Sequence, residues 1–129
     1  MIHGIGTDIL YLDRIRPLYE KHPDDPFFRS AFTEKERRLI SSRPSPLHAY
    51  ASRFAGKEAI FKAMQIHPDD IRLNEIEILE DEKGIPAVTL HGNALRIADQ
   101  LGIGRIHLSL SFENDCAVAF AVCESSTSS

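Results

Sequence analysis

The chain contains 129 residues, of which 43% are hydrophobic and 26% charged, and its formal net charge is −4. This length fits one compact domain with a single core, so we expect one domain over residues 1–124 and a polar tail at 125–129. No apolar run approaches the roughly 18 residues that a membrane span needs, and no signal-peptide pattern opens the chain, so a cytoplasmic protein is expected.

The charge is distributed unevenly along the chain. Residues 1–62 hold 11 Lys and Arg against 8 Asp and Glu, a net of +3, whereas residues 63–129 hold 4 against 11, a net of −7. A uniformly basic surface for nucleic acid is therefore excluded. The basic first half instead favours a phosphorylated small molecule or an acidic protein as its partner.

A strand followed by a short helix is predicted for the N-terminal segment. Residues 2–9 are small and β-prone, and the glycines at positions 4 and 6 indicate that another backbone comes close to the strand. Asp13 is expected to cap an amphipathic helix that ends before Pro23. The segment is therefore expected to supply one buried strand and one amphipathic helix.

Two more helices are predicted on either side of a proline-containing break at residues 43–46. Thr33 and Glu36 have the spacing of a capping box, which predicts a basic helix to about Ile40. Residues 48–65 form the longest helical pattern of the chain, and they are rich in alanine. We therefore expect this helix to be central to the fold.

A hairpin and a further helix are predicted at the start of the second half. Residues 75–79 and 87–90 alternate in polarity around a turn at 81–84, which is typical of a hairpin. Asn93 is then expected to cap a helix that ends at Gly102.

A second, longer hairpin is predicted from residues 106–112 and 116–123. Its second strand is apolar on both faces and is expected to be covered on both. Cys116 and Cys123 lie seven residues apart, so in a regular strand they point to opposite faces and cannot reach each other. We expect both cysteines to pack as small hydrophobic side chains.

Two carboxylates, Asp8 and Glu58, stand in otherwise apolar runs. An ionised carboxylate in a mostly buried element is costly unless a cation compensates it, so these two are candidates to share one. Mg²⁺ is usually bound through one or two carboxylates together with substrate phosphates. The nearby Arg53, Lys57 and Lys62 favour a phosphate-bearing ligand. The alternative is that Glu58 makes ordinary helical ion pairs and Asp8 caps a turn.

Other patterns of catalytic or metal-binding residues are not found in the sequence. The six histidines are scattered without the spacing of metal ligands. Neither a G-x-S-x-G nucleophile turn nor a glycine-rich phosphate loop with its lysine is present.

Five segments together resemble the bacterial holo-acyl-carrier-protein synthases, in the order and at nearly the spacing of that family. They are residues 4–9 (GIGTDI), 32–36 (FTEKE), 53–59 (RFAGKEA), 75–78 with 84–86 (EIEI and GIP), and 106–121. Each motif alone is weak, whereas all of them in a chain of the family's length are specific. The resemblance implies an α+β fold, with an antiparallel sheet packed against a long central helix, and a homotrimer with active sites between its subunits.

The resemblance also implies the activity of a 4'-phosphopantetheinyl transferase in fatty acid biosynthesis. Such enzymes move the phosphopantetheine arm of coenzyme A to a serine of an acyl carrier protein and release adenosine 3',5'-bisphosphate. Asp8 and Glu58 match the family's Mg²⁺ ligands, and Lys62 matches its lysine beside the diphosphate, placed to stabilise charge on the leaving phosphate. Glu58, directly or through a metal-bound water, is the candidate for taking the serine proton. Arg53 and Lys57 are expected to help bind coenzyme A.

Three further positions bear on the ligands of the protein. Carrier proteins are acidic and in this family dock on the helix after the first strand, where this chain has Arg14 and Arg16. The family often has histidine where this chain has Phe112, so an imidazole that could contact a phosphate of coenzyme A is absent from that position. No nucleic acid or membrane partner is expected.

Two other functions compete with this interpretation. The first is a noncatalytic homologue that binds coenzyme A or a nucleotide, in which the change to Phe112 accompanies lost turnover. The second is a structural oligomerisation domain whose cationic helix is only solvated. Binding of coenzyme A that depends on magnesium, with or without transfer, separates the three.

Overall fold

The computed structural model describes residues 1–126, which form five α-helices and five strands. The strands are β1 (Ile2–Tyr11), β2 (Ile76–Glu80), β3 (Pro86–Leu90), β4 (Ile103–Phe112) and β5 (Cys116–Ser125). The α-helices are α1 (Arg16–Lys21), α2 (Pro26–Ala31), α3 (Glu34–Ser41), α4 (Pro46–Met64) and α5 (Gly92–Leu101). Short 3₁₀ turns lie at Leu12–Arg14, Pro68–Asp70 and Leu73–Glu75.

A three-stranded antiparallel sheet, in the order β1-β5-β4, is covered on one face by the long helix α4. β2 and β3 form a separate antiparallel hairpin. Because β5 is central, β1 and β4 are the two edges of the larger sheet. The predicted α+β fold, with an antiparallel sheet against a long central helix, is confirmed.

The contact between β1 and α4 is unusually close because two glycines face the helix. A Cβ added at Gly4 would collide with the carbonyl oxygen of Ala63, and one at Gly6 would collide with that of Ala59. Small residues on both elements let the backbones approach, as the glycine pattern predicted. This contact holds Asp8, two residues beyond Gly6, against the same helix.

The opposite face of the sheet is open in the single chain, and β5 and β1 expose apolar side chains there. Alanines and Cys123 of β5 point towards α4 and are buried, whereas Val118 and Phe120 on the other side are exposed. Ile5 and Ile9 extend the exposed apolar surface onto β1. The expectation that β5 is covered on both faces is therefore not met within one chain, because its outward-facing Val118 and Phe120 are exposed.

Local details of the sequence prediction hold in some places and fail in others. The capping box is present, since the hydroxyl of Thr33 accepts from the Glu36 amide and the Glu36 carboxylate accepts from the Thr33 amide. Asp13 caps nothing, because it lies inside a 3₁₀ turn with its side chain in solvent. Asn93 lies within the first turn of α5, whose N-cap is His91.

The C-terminal boundary of the ordered domain differs from the prediction. Ser125 still belongs to β5, where it pairs with Ile103, so the ordered strand runs past the predicted start of the tail. Residues 127–129 of that predicted tail lie outside the described residues.

Cys116 and Cys123 point to opposite faces, and burial raises the pKa of the Cys123 thiol to about 11. In the described part of the chain, every helix is too short or too polar to cross a membrane.

Candidate active site

Asp8 and Lys62 meet at the edge of the sheet where β1 faces α4. The ammonium of Lys62 donates to the Thr7 carbonyl oxygen at 2.8 Å and lies 3.3 Å from Oδ1 of Asp8. The Asp8 side chain is one-fifth exposed and that of Lys62 is more than half exposed, so both can reach a ligand from solvent. This pair connects two segments that are 54 residues apart in the sequence.

Glu58 completes a cluster with Asp8 and Lys62. It precedes Lys62 by one helical turn and is half-buried on α4. Its pKa is raised, first because burial disfavours the charged form and second because the Asp8 carboxylate is near, whereas Lys62 acts in the opposite direction. Two carboxylates that repel each other beside one lysine form a site in which additional positive charge is stabilising.

The residues present fit a magnesium ion that is bound partly by protein carboxylates and partly by a substrate. Among residues 1–126 no group of three His, Cys, Asp or Glu side chains could enclose a metal. Two carboxylates alone leave most positions of an octahedral cation for water and phosphate oxygens, which is how Mg²⁺ is commonly held. Asp8 and Glu58 are the side chains that would hold it.

Lys57 does not belong to this site, which corrects the prediction that it binds coenzyme A. Its side chain is fully buried, and its ammonium lies 2.9 Å from Oε1 of Glu36 and 2.9 Å from the Leu73 carbonyl oxygen. A third bond goes to the Ile76 carbonyl oxygen, and the Phe32 ring lies 5.1 Å away. Burial lowers the pKa of Lys57, and Glu36 partly offsets this effect. All three N–H donors are occupied inside the protein, so none is left for a ligand.

Arg53 is almost wholly buried but lies beside a cavity of about 500 Å³. Its guanidinium donates to the carbonyl oxygens of Ile78 and Ala49 and to Oε1 of Glu80 at 3.3 Å. Arg43 pairs with the other oxygen of Glu80 and also lines the cavity. Two guanidiniums that share one carboxylate leave an excess of positive charge, so Arg53 stays a candidate for binding the anionic ligand.

The cavity contains residues that the sequence analysis did not assign to a site. Its walls include Ser45 and His48 at the start of α4 and Phe112 at the end of β4. Phe112 follows the inward phase of its strand, as its alternation predicted, but the residue is 59% exposed, and its ring contacts His48. The sequence signal was the basic, proline-containing segment at residues 43–46, which we interpreted only as a break between helices.

The carboxylate cluster and the cavity lie at opposite edges of one chain. Asp8 is on β1, whereas Phe112 is on β4, and β5 separates the two strands. Glu58 and Lys62 lie along the β1 side of α4, whereas Arg53 faces β2 through Ile78. None of the three cluster residues lines the cavity. A ligand that needs both regions must therefore bridge two chains or reach around α4.

The basic residues predicted to dock a carrier protein differ in their surroundings. Arg14 is exposed in the 3₁₀ turn after β1 and forms no salt bridge within residues 1–126. Arg16 opens α1 and is half-buried between two acidic side chains, 3.4 Å from Asp13 and 3.7 Å from Glu20. Arg14 is therefore the freer of the two cations.

Comparison with known proteins identifies the family. A holo-[acyl-carrier-protein] synthase of Natranaerobius thermophilus is 38% identical over 122 residues, which cover 95% of this chain and 97% of the relative. The crystal structure of the Neisseria meningitidis synthase is 35% identical with a TM-score of 0.85, over 96% of this chain and 99% of that one.

A third protein was solved with a ligand. It is the Bacillus anthracis synthase in complex with coenzyme A (3',5'-ADP), which is 31% identical with a TM-score of 0.78, over 97% of this chain and 98% of that one. The family model described as the 4'-phosphopantetheinyl transferase superfamily matches residues 4–121. The match spans the carboxylate cluster, the cavity and the sheet together, and the chain belongs to the 4'-phosphopantetheinyl transferase superfamily.

Proposed function

We propose that this protein is a holo-acyl-carrier-protein synthase, which transfers the 4'-phosphopantetheine arm of coenzyme A to a serine of an apo-acyl carrier protein. The observation that carries the proposal is the Asp8, Glu58 and Lys62 cluster, in a chain whose relatives are named for this activity. A site of two carboxylates and one lysine suits a metal-bound diphosphate. Fatty acid biosynthesis in the cytoplasm is the setting that this activity implies.

Asp8 and Glu58 are the proposed ligands of Mg²⁺. When bound, Mg²⁺ supplies positive charge that holds the diphosphate and stabilises charge on the phosphoryl oxygens. Lys62 stands 3.3 Å from Asp8 on an exposed side chain, so its ammonium can turn from Asp8 to the leaving phosphate. Its role is to stabilise negative charge on adenosine 3',5'-bisphosphate as that group departs.

The reaction forms one P–O bond and breaks another. The serine hydroxyl oxygen bonds to the phosphorus that carries pantetheine, the bond from that phosphorus to the bridging oxygen breaks, and adenosine 3',5'-bisphosphate leaves with the electron pair. The serine proton goes to a base, for which Glu58 is the proposed acceptor. Glu58 can take this proton directly or through a metal-bound water, since a carboxylate within reach of the hydroxyl is sufficient.

The complete site is proposed to form between subunits of a homotrimer. Support comes from the separation of the carboxylate cluster on the β1 side from the arginine-lined cavity on the β4 side. A head-to-tail ring brings one subunit's β1 edge to its neighbour's β4 edge, so each interface makes one complete site. The exposed apolar face around Ile5, Ile9 and Phe120 supplies surface for such an assembly to bury.

Mixing two inactive variants tests whether the site is shared. Glu58→Gln disables the carboxylate cluster, and Arg43→Glu reverses a charge at the cavity. A homotrimer of either variant should therefore be inactive or weakly active. Co-expressed chains should recover activity in mixed trimers, because some interfaces then join an intact cluster to an intact cavity. Light scattering gives the oligomeric state, and the absence of recovery in confirmed mixed trimers would place both halves in one subunit.

The proposed carrier-docking surface is the basic segment with Arg14 and Arg16. Arg14 is exposed and available to an acidic partner, whereas Arg16 is shared with Asp13 and Glu20. We assign the larger part of the electrostatic attraction to Arg14 for that reason.

Intact-mass spectrometry of a carrier protein tests the activity directly. Purified apo-acyl carrier protein is incubated with this protein, coenzyme A and Mg²⁺, with a parallel sample in EDTA. The proposal expects a gain of one phosphopantetheine arm that requires magnesium. Magnesium-dependent binding of coenzyme A without a mass gain on any carrier would instead favour the noncatalytic homologue.

A further inference from the structure

His48 has a defined position on the wall of the cavity that lies away from the carboxylate cluster. Its Nδ1 is 2.6 Å from the hydroxyl oxygen of Ser45, and its ring centre is 5.0 Å from that of Phe112 with an angle of 47° between the planes. Both contacts are made by residues that themselves line the cavity. The imidazole is therefore fixed at one nitrogen and on one face.

The hydrogen bond to Ser45 leaves Nε2 as the nitrogen that can meet a ligand. A phosphate oxygen can only accept a hydrogen bond, so a phosphate at Nε2 selects the forms of His48 in which that nitrogen carries a proton. The Ser45 hydroxyl suits both such forms, because it donates to Nδ1 of the neutral ring and accepts from Nδ1 of the charged one. His48 is thus prepared to donate in either charge state.

The charged groups around His48 favour an anion. Arg43 and Arg53 share the single carboxylate of Glu80, and the Arg43 side chain is about one-third exposed. An anion at this wall would meet Arg43 and His48 together. Because Arg53 already donates to two backbone carbonyls as well as to Glu80, Arg43 and His48 are the residues of this wall with donors to spare.

Phe112 gives the same wall an apolar surface. The residue is more than half exposed, although its strand phase points it towards α4 and the cavity. An exposed aromatic ring next to cationic donors fits a ligand that combines a flat base with a phosphate. The adenosine end of coenzyme A has both.

We propose that His48, held by Ser45 and packed against Phe112, donates a hydrogen bond to the 3'-phosphate of coenzyme A and so sets a preference for nucleotides that carry a 3'-phosphate over those that lack it. The inference rests on the proposed function. Coenzyme A has two anionic groups, the diphosphate and the 3'-phosphate, and the diphosphate is assigned to Asp8, Glu58 and Lys62. The 3'-phosphate is the anion that remains for the cavity.

Binding of two nucleotides that differ in one phosphate tests the proposal without turnover. Calorimetry on the full-length protein compares adenosine 3',5'-bisphosphate with adenosine 5'-monophosphate. His48→Gln should weaken the bisphosphate about tenfold and change the monophosphate less than twofold, because one donor to one phosphate is removed. Phe112→Leu should weaken both, since both carry the base. His67→Gln, which changes an exposed histidine beyond the far end of α4, should change neither.

A rescue variant separates the imidazole from general effects on folding. His48→Gln combined with Phe112→His returns an imidazole to the same wall and should recover part of the preference for the 3'-phosphate. The proposal is overturned if His48→Gln weakens both nucleotides equally or neither, or if the wild-type protein binds them equally. If the wild-type protein prefers the nucleotide with the 3'-phosphate but transfers no phosphopantetheine arm in the mass assay, the proposed function is overturned and the assignment of His48 stands.

Discussion

Lys57 and Glu58 are adjacent in the sequence, yet they belong to regions of opposite character. Lys57 is fully buried, and its ammonium is bonded to Glu36 and two backbone carbonyls. Glu58 is half-buried beside Asp8 and the exposed Lys62. Both regions contain a lysine and at least one carboxylate. Water and a ligand can reach the groups around Glu58, which we call the open region, but not those around Lys57, which we call the buried region.

The buried region is complete without a ligand. Glu36 accepts from Lys57, from the Thr33 amide at 2.9 Å and from the Ile78 amide at 2.8 Å. In the open region, burial raises the pKa of Glu58 and the nearby Asp8 carboxylate raises it further, because the two carboxylates repel each other. Charges that satisfy one another hold α3, α4 and β2 together, whereas charges that do not are available to bind a cation. On α4, the face on which a charged residue lies therefore decides its role.

The largest expected effect is on the open region. Glu58→Gln should reduce kcat/KM for transfer by about a thousandfold, because it removes one charge at the proposed metal site and the proposed base, with nearly unchanged volume. Thermal stability should hold or rise, because a half-buried carboxylate repelled by Asp8 is removed. Steady-state transfer kinetics and calorimetric unfolding check both parts. Unchanged activity would remove Glu58 from the site.

The next effect tests the buried region. Lys57→Met should lower the free energy of unfolding by about 3–5 kcal/mol, because it leaves the Glu36 carboxylate buried without its cation. Activity per folded molecule should stay near that of the wild type. Urea unfolding measures the stability change. Arg38→Met at the exposed Arg38–Glu34 pair is the matched control and should leave stability nearly unchanged.

Removing the partner of the buried lysine sharpens the same test. The double variant with Glu36→Gln and Lys57→Met should be less destabilised than the sum of the two single variants, since neither then leaves a lone buried charge. Additive losses, or an activity loss in Lys57→Met that exceeds the unfolded fraction, would argue that Lys57 does touch the ligand.

A smaller effect is expected at the exposed member of the open region. Lys62→Met should lower kcat about a hundredfold, because the leaving phosphate loses one stabilising cation, and should leave the melting temperature close to that of the wild type. Initial rates of transfer, measured over a range of coenzyme A concentrations, separate kcat from KM. Lys35→Met on α3 is the control for loss of an exposed lysine. A rise in KM alone would reassign Lys62 to ground-state binding.

The smallest effect lies outside both regions, on the proposed carrier surface. Arg14→Glu should raise KM for the carrier protein about tenfold and leave KM for coenzyme A within twofold, since a charge at the rim of an interface acts mainly on association with an acidic partner. Arg96→Glu on α5 provides a matched reversal of an exposed charge. Equal changes in both KM values would be inconsistent with carrier docking at Arg14.

The sequence sufficed for the elements whose signals are local. The Thr33 capping box, the hairpin turns and the length of α4 depend on neighbouring residues, and the structure contains all of them. The burial of Lys57 could not be read in the same way. α4 is buried around most of its circumference, so it has no polar stripe to show which charged residue faces solvent.

The cavity was unpredictable for a related reason. Its walls come from α4, from the end of β4 and from Glu80 on β2, which only the tertiary fold brings together. The contact between His48 and Phe112 joins residues 48 and 112, and no periodicity links them. The family resemblance gave the carboxylates because they lie inside short motifs, whereas Ser45 and His48 lie outside all five motifs.

The close contact of β1 with α4 has a consequence for the chemistry as well as for packing. Gly6 sets how near the strand lies to the helix, and Asp8 and Glu58 are carried by those two elements. The separation of the two backbones that carry these carboxylates is therefore set by packing. We expect a single methyl group at Gly6 to act as a spacer that pushes the strand from the helix, and so to change how far apart Asp8 and Glu58 stand without altering any charge.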